Sequence, residues 1–452
     1  MAGLTRNPIL VLKRRTELLL FCFLIAFLAV AARLVWVQGV MAAQYQEFAR
    51  RMHRREIVQP ARRGRILARD GQPLATNIPA YDLTANPRVV ADKRATAEAL
   101  ARLIGGSADD YYARLTRATG YFCWLRRSLD EPLAERIRAH LGESLLAGVE
   151  LRPSTRRVYP SGTLAANVLG DVDIDLLGRD GLEFRFNRDL AGEDGVVVAD
   201  VDAAGQVIPQ TERRVREPRH GHDLVTTLDP TIQQFAEREL ARIAEQYQPE
   251  SAIAVVMDVR TREVLALANW PTFDPNSREK IPSELRRCRA VTDPFEPGSV
   301  FKILTAAAAL EERIDTNAVC TGALVVGPHT INCDRGKRHG AVDLRTIIAK
   351  SCNIATGILA ERLGPQRMWH HLQTFGFLDK TGIELGGEAT GGLPKPENWR
   401  TINLVNIGFG QGIAVNAIQL CNLFATIGDD GRWKQPRLVT RVGDRALPER
   451  VP

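Results

Sequence analysis

Phe295–Glu312 reads FEPGSVFKILTAAAALEE. Pro297-Gly298 breaks the chain, and the run after it is rich in alanine and leucine, strong helix formers. The stretch predicts a helix that starts at or just after Gly298. Ser299 falls in its first turn, where backbone N–H groups lack intrahelical partners and the dipole is positive. Lys302 follows three residues on, on the same face, with the two Cβ atoms about 5–6 Å apart. A serine hydroxyl is a weak nucleophile until a base takes its proton. A lysine can do so only when neutral, and burial favours that form. The apolar ILTAAAAL after Lys302 would bury its stem, and the helix start could stabilise an oxyanion beside Ser299.

Ser-x-x-Lys also occurs at Ser277–Lys280, SREK, between Pro275 and Pro282. That copy has neither a helix start nor an apolar run and reads as loop. A second chemical candidate is Lys350–Asn353, KSCN. From a turn between helices, Ser351 could relay a proton, and the Asn353 amide could hold both the base and a substrate carbonyl. Ser and Asn are equally common as helix caps, and that reading stays open.

Outward from these motifs the chain organises in blocks. Leu18–Val37, LLLFCFLIAFLAVAARLVWV, is about 20 residues and about 30 Å as a helix, enough to cross a bilayer core. Arg33 near its end can snorkel to the interface. An uncleaved anchor is expected, with a signal peptide cleaved near Ala29-Val30-Ala31 as the alternative. Arg6, Lys13, Arg14 and Arg15 precede the span, and Arg50, Arg51, Arg54 and Arg55 follow it, so the positive-inside rule does not orient it. Arg63–Thr76 reads as two strands about an Asp70-Gly71 turn, and Ala95–Ile104 as a helix. Gln210–Asp223 is polar and proline-bearing, a candidate domain boundary. Beyond it, Asp229 caps a helix opened by Pro230, and Ser251–Asn269 reads as two strands turning near Thr261. The fold class expected is mixed α/β, with an antiparallel sheet covered by helices.

The formal charge is +7. No aromatic-interleaved basic patch accompanies it, which argues against nucleic acid and for a solvated surface near a membrane. There are seven cysteines and no Cys-x-x-Cys pair. Cys320 and Cys333 flank a strand-like segment, Ala323–Ile331, and could form a disulfide outside the cytoplasm. The eight histidines show no His-Glu-x-x-His pattern, and His220-Gly-His222 reads as linker.

EPGSVFK followed by SCN resembles the first two active-site boxes of penicillin-binding proteins and serine β-lactamases. RGRILARDGQPLA (Arg63–Ala75), RVYPSGTLAANVLG (Arg157–Gly170), GRDGLEFRFNRDLAGEDG (Gly178–Gly195), LDPTIQQFAEREL (Leu228–Leu240) and the GFGQG region (Asn406–Gly431) narrow the resemblance to class B penicillin-binding proteins. It implies a short cytoplasmic tail (1–16), a transmembrane anchor (17–40), a non-catalytic pedestal of dimerisation type (41–215) and a penicillin-binding transpeptidase domain (216–452). It also implies an inner-membrane, single-pass protein with its catalytic domain on the periplasmic side. The function implied is D,D-transpeptidation of peptidoglycan stem peptides, with β-lactams as inhibitors. Ser299 would be the nucleophile, Lys302 its base, Ser351 a proton relay, and Asn353 a contact to Lys302 and substrate. No metal or organic cofactor is implied. Partners implied are a glycosyltransferase and division or elongation proteins. A non-catalytic scaffold and a β-lactam hydrolase or sensor are the alternatives.

The family's third box is Lys-Thr-Gly on an edge strand after the GQG helix. Lys380-Thr381-Gly382 spells it but precedes Gly410, so it is expected to be structural. The sequence ends at Pro452 before a later copy. The expectation is a transpeptidase domain cut short, unstable or nearly inactive alone.

Overall fold

The computed structural model describes residues 8–45, 54–201, 208, 210–277 and 279–448. Arg6, Arg50 and Arg51, invoked above beside the apolar run, lie outside them, as do residues 449–452. Chain contacts separate two compact units.

One unit comprises residues 1–60 and 194–218. A helix runs over Pro8–Val35 and continues as a π-helical turn at Trp36–Val40. Arg15–Val40 is long and apolar enough to cross a membrane, and none of it is buried. Phe23 and Phe27 are 72% and 71% exposed. In water such a surface is unfavourable, whereas hydrocarbon suits it. The unit also holds a three-stranded antiparallel sheet in the order Arg54–Gln59, Gly195–Asp200, Arg213–Arg216. The last of these strands falls inside the candidate boundary Gln210–Asp223.

The second unit comprises residues 61–193 and 219–452. Residues 41–215 are therefore shared between the two. Its main sheet has seven strands in the order Arg445–Ala446, Val439–Val442, Leu224–Thr226, Ile66–Leu67, Pro73–Ala85, Cys123–Leu129, with Val149–Val158 also paired along Pro73–Ala85. The Asp70-Gly71 turn forms as its sequence predicts: Gly71 has φ +85°, and Ile66 pairs with Ala75. Ile66 also pairs in parallel with Leu224. That ladder joins sequence from before and after residue 216. The apolar core follows it, uniting Ile66, Leu74, Leu182, Leu224, Val264 and Val439.

A second core, with Leu83, Leu100, Leu115, Leu125 and Ile137, lies under the helices Lys93–Ile104, Ala108–Arg117 and Glu131–Arg138. Asp92, Ser107 and Asp130 cap these helices with their side chains. Between the cores lies an ionic cluster. Glu183 is fully buried and accepts from Arg63 Nε at 2.7 Å and from Arg157 Nε at 2.7 Å. Tyr159 donates to it at 3.3 Å, and Arg157 Nη1 donates to the Gly64 carbonyl at 2.7 Å. Burying charge is costly unless it is paired and hydrogen-bonded. The RGR, RVY and GLE motifs are thus one structure seen three times along the chain.

The remaining elements frame the site. A helix, Pro230–Tyr247, starts at Asp229, whose carboxylate accepts from Thr231 N at 3.0 Å and Ile232 N at 3.2 Å. The hairpin Ala252–Met257/Val264–Trp270 turns about Asp258, which accepts from Arg260 N and Thr261 N. Helices Lys302–Glu311, Asn353–Thr374, Thr401–Gly408 and Ala417–Gly428 pack around Phe301, Leu304, Leu363, Phe377, Ile407 and Leu423. Gly364 breaks the second of them, at φ +75° and ψ 164°. Ala323–Ile331, expected as one strand, is a hairpin of Ala323–Val326 and His329–Asn332. Gly327 takes the left-handed φ of +56° that turns it.

Candidate active site

Gly298–Phe301 is a 3-10 turn that runs directly into the α-helix Lys302–Glu311. The predicted start at Gly298 is therefore a tight 3-10 turn, with the α-helix proper following from Lys302, a common device at helix starts. Two contacts anchor it. Phe301 meets Phe377 edge to face with centroids 5.0 Å apart, and Thr305 donates to the Gly408 carbonyl at 2.7 Å. Ser299 is left exposed, while Lys302 is 2% exposed.

Lys302 points into the SCN turn. Its Nζ donates to the Ser351 carbonyl at 2.6 Å, to Ser351 Oγ at 2.9 Å and to Asn353 Oδ1 at 2.7 Å. These partners account for all three ammonium donors. Burial pushes the Lys302 ammonium below the ordinary lysine value, while Cys333, Cys352 and Asp334 nearby pull the other way. Four residues singled out from sequence are thus distributed as one exposed serine and a buried Lys302 held by half-buried Ser351 and Asn353.

The turn that presents Ser351 is strained. A helix, Leu344–Ala349, ends at Lys350, and Ser351 adopts φ +51°. A non-glycine residue held there costs about 1–3 kcal/mol and persists only when its surroundings fix it. Cys352, rather than Ser351 or Asn353, is the N-cap of the next helix, and its sulfur accepts from Ala355 N at 3.3 Å. Ser351 and Asn353 are thereby free to face Lys302.

The GQG segment supports the serine turn from the other side, a role sequence reasoning did not assign. Gly298 N donates to the Gly410 carbonyl at 2.9 Å, and Gly412 N donates to Glu296 at 2.9 Å. Phe295 and Val415 exchange both backbone hydrogen bonds at 2.9 Å. Paired glycines on both segments were the available signal. An apolar groove of about 430 Å³ opens beside the serine, lined by Ile253, Val255, Phe295, Val300, Leu420 and Phe424. The larger cleft, about 590 Å³ around Arg156, Tyr159 and Asn276, includes none of the four site residues.

Lys380-Thr381-Gly382 is not a strand. Glu388 accepts from Thr381 N at 2.7 Å and from Gly382 N at 3.2 Å, and Gln419 donates to the Asp379 carbonyl at 3.1 Å. Lys380 is exposed while Thr381 is buried. The segment is a loop tied to the cap of the Ala417–Gly428 helix. Of the other Ser-x-x-Lys copy, Ser277, Glu279 and Lys280 are likewise in neither helix nor strand, and Ser277 N donates to the Asp274 carbonyl at 3.0 Å; residue 278 lies outside the described residues. Cys320 and Cys333 are both buried and free, so the disulfide considered above is not formed.

Two family descriptions match the chain: the penicillin-binding protein dimerisation domain over residues 58–226 and the penicillin-binding protein transpeptidase domain over residues 252–451. The probable peptidoglycan D,D-transpeptidase PenA of Neisseria meningitidis is 32% identical over 422 residues, covering 92% of this chain and 72% of that protein. Peptidoglycan D,D-transpeptidase FtsI of Escherichia coli is 31% identical over 452 residues, covering 97% and 75%. Among solved structures, penicillin-binding protein 3 of Mycobacterium tuberculosis with aztreonam aligns at a TM-score of 0.64 with 27% identity, covering 87% of this chain and 71% of that one. Domain order, sequence likeness along most of the chain and a buried lysine behind an exposed serine agree: the chain belongs to the class B penicillin-binding proteins.

Proposed function

We infer that the chain is a serine-type peptidoglycan D,D-transpeptidase working through an acyl-enzyme on Ser299. One observation carries the assignment of roles: buried Lys302 is gripped by Ser351 and Asn353 one turn from an exposed serine. Lys302 in its neutral form takes the Ser299 proton as Oγ attacks the carbonyl carbon of a D-Ala–D-Ala amide. The O–C bond forms, the C–N bond breaks, and a proton passes through Ser351 to the leaving D-Ala amine. An amine of a neighbouring stem peptide then attacks the acyl carbon, forming the cross-link and returning the serine proton. Asn353 holds Lys302 in place and contacts the substrate.

β-Lactams present a comparable amide in a ring and are read as acylating the same serine; the complex of the M. tuberculosis relative with aztreonam supports this. The apolar N-terminal helix supports a single-pass anchor in the cytoplasmic membrane, with residues 216–452 as the catalytic part outside and 41–215 as its pedestal. A glycosyltransferase and division or elongation proteins are the partners this reading implies. The test is labelling with a fluorescent penicillin followed by peptide mass mapping. The adduct is expected on Ser299, whatever its rate of formation, and should vanish in Ser299→Ala. An adduct on another residue, or one that survives the substitution, overturns the assignment.

A further inference from the structure

Three cysteines and one histidine converge behind the SCN turn. Cys320, Cys333, His339 and Cys352 each offer one donor atom, and all four atoms lie within 4.8 Å of one another. Cys333 Sγ is 3.6 Å from His339 Nδ1 and 3.9 Å from Cys352 Sγ. In a tetrahedral zinc site with Zn–S near 2.3 Å, neighbouring sulfurs are about 3.8 Å apart. A disulfide would need about 2.05 Å. The spacing is therefore that of ligands around a common centre. The three sulfurs are buried, at 1%, 2% and 0% exposure.

The strands around these ligands are short. Ala318–Cys320 pairs with Gly340–Val342, and Ala323–Val326 with His329–Asn332, each as an isolated two-stranded ladder. Hairpins this small are marginal alone. Their apolar core includes the three cysteines, packed with Ala318, Val342, Ile347, Ile354 and Leu359. The Ala355 N–H directed at Cys352 Sγ is the kind of outer contact that supports a metal-bound thiolate.

We propose that Cys320, Cys333, His339 and Cys352 form a structural site for a soft divalent metal ion, zinc above all. Three thiolates and one imidazole favour zinc over magnesium or calcium, which take oxygen ligands. Four protein ligands close the coordination sphere, which marks a structural centre and not a catalytic one. Binding releases the three thiol protons as three S–metal bonds form. The metal ties both ladders to Cys352 and so fixes the residue between Ser351 and Asn353. This last link to acylation rests on the Ser299 reading above; the metal site itself does not.

The test uses the full chain. Elemental analysis of purified protein is expected to find about one zinc per chain. Replacement by Co²⁺ is expected to give thiolate-to-cobalt charge-transfer absorption and the intense visible bands of a tetrahedral site. Cys320→Ser and His339→Ala should each weaken cobalt binding at least tenfold, while Cys123→Ser, in a separate core, should match the unsubstituted protein. A folded, metal-free chain that gives no charge transfer on cobalt titration overturns the site, as does a Cys320–Cys333 disulfide found by mass spectrometry. A cobalt spectrum together with penicillin labelling that chelation leaves unchanged overturns the link to Ser351 and Asn353.

Discussion

The amide of Gly298 donates to the carbonyl of Gly410 at 2.9 Å, and the two backbones touch so closely that a Cβ on Gly410 would lie 2.1 Å from the Gly298 oxygen. Gly410 also takes φ +84°, a region L-residues rarely adopt. The Ser299 turn is therefore seated on bare backbone. Gly410→Ala is expected to shift Ser299 and slow its acylation by about 10²-fold, the typical effect of a 1 Å misplacement. A stopped-flow acylation rate equal to the parent's would refute this seating role.

As the proposed base, Lys302 sets the pH response. Its ammonium lies below the ordinary lysine value because it is buried, so the neutral base becomes available at lower pH than for a free lysine. The acylation rate should rise with pH, with a midpoint below about 10.4. Stability should rise through the same window, because there the unfolded chain binds a proton that the folded chain does not. Lys302→Arg, which stays charged, should lose about 10²–10⁴ in acylation rate. A flat pH profile would remove Lys302 as the base.

Glu183 answers two arginines at once. Glu183→Ala leaves Arg63 and Arg157 buried without a counter-charge, and the cost should be about 3–5 kcal/mol. Urea denaturation of the folded chain measures it. A midpoint within error of the parent's would show the cluster to be energetically idle.

Lys380 and Glu388 should behave oppositely. Lys380 is exposed, so Lys380→Ala is expected to leave penicillin labelling and melting temperature unchanged. Glu388→Ala strands the buried Thr381 amide, at a cost of about 1–3 kcal/mol. Loss of labelling in Lys380→Ala with stability intact would give that lysine a catalytic role after all.

Local signals carried much of the sequence reading. Asp229-Pro230 marked a helix start because capping is decided by neighbouring residues. Ser299 and Lys302 were legible because one helix carries both. The sequence also located Ser351 and Asn353 near each other, but only the strained φ of Ser351 and the Cys352 cap explain why both turn toward Lys302. The Glu183 cluster was hidden because its arginines lie far from it along the chain, and periodicity carries no record of such pairings. Gly410 was visible as part of a motif, though its contact with Gly298 is purely tertiary. The cysteines invited a pairwise reading, whereas their arrangement includes a histidine and a residue of the SCN turn.

The parallel ladder between Ile66 and Leu224 bears on how such genes can be cut and shuffled. A gene fragment opening near codon 216 would encode Leu224, Leu228 and Val264 without Ile66, Leu74 and Leu182 to cover them. The two homology blocks are separate in the alignments but fold around one interior. Recombination between lineages is therefore best tolerated near residue 60, which keeps residues 61–193 with 219–452, whereas a crossover near residue 193 or 218 would inherit half a core.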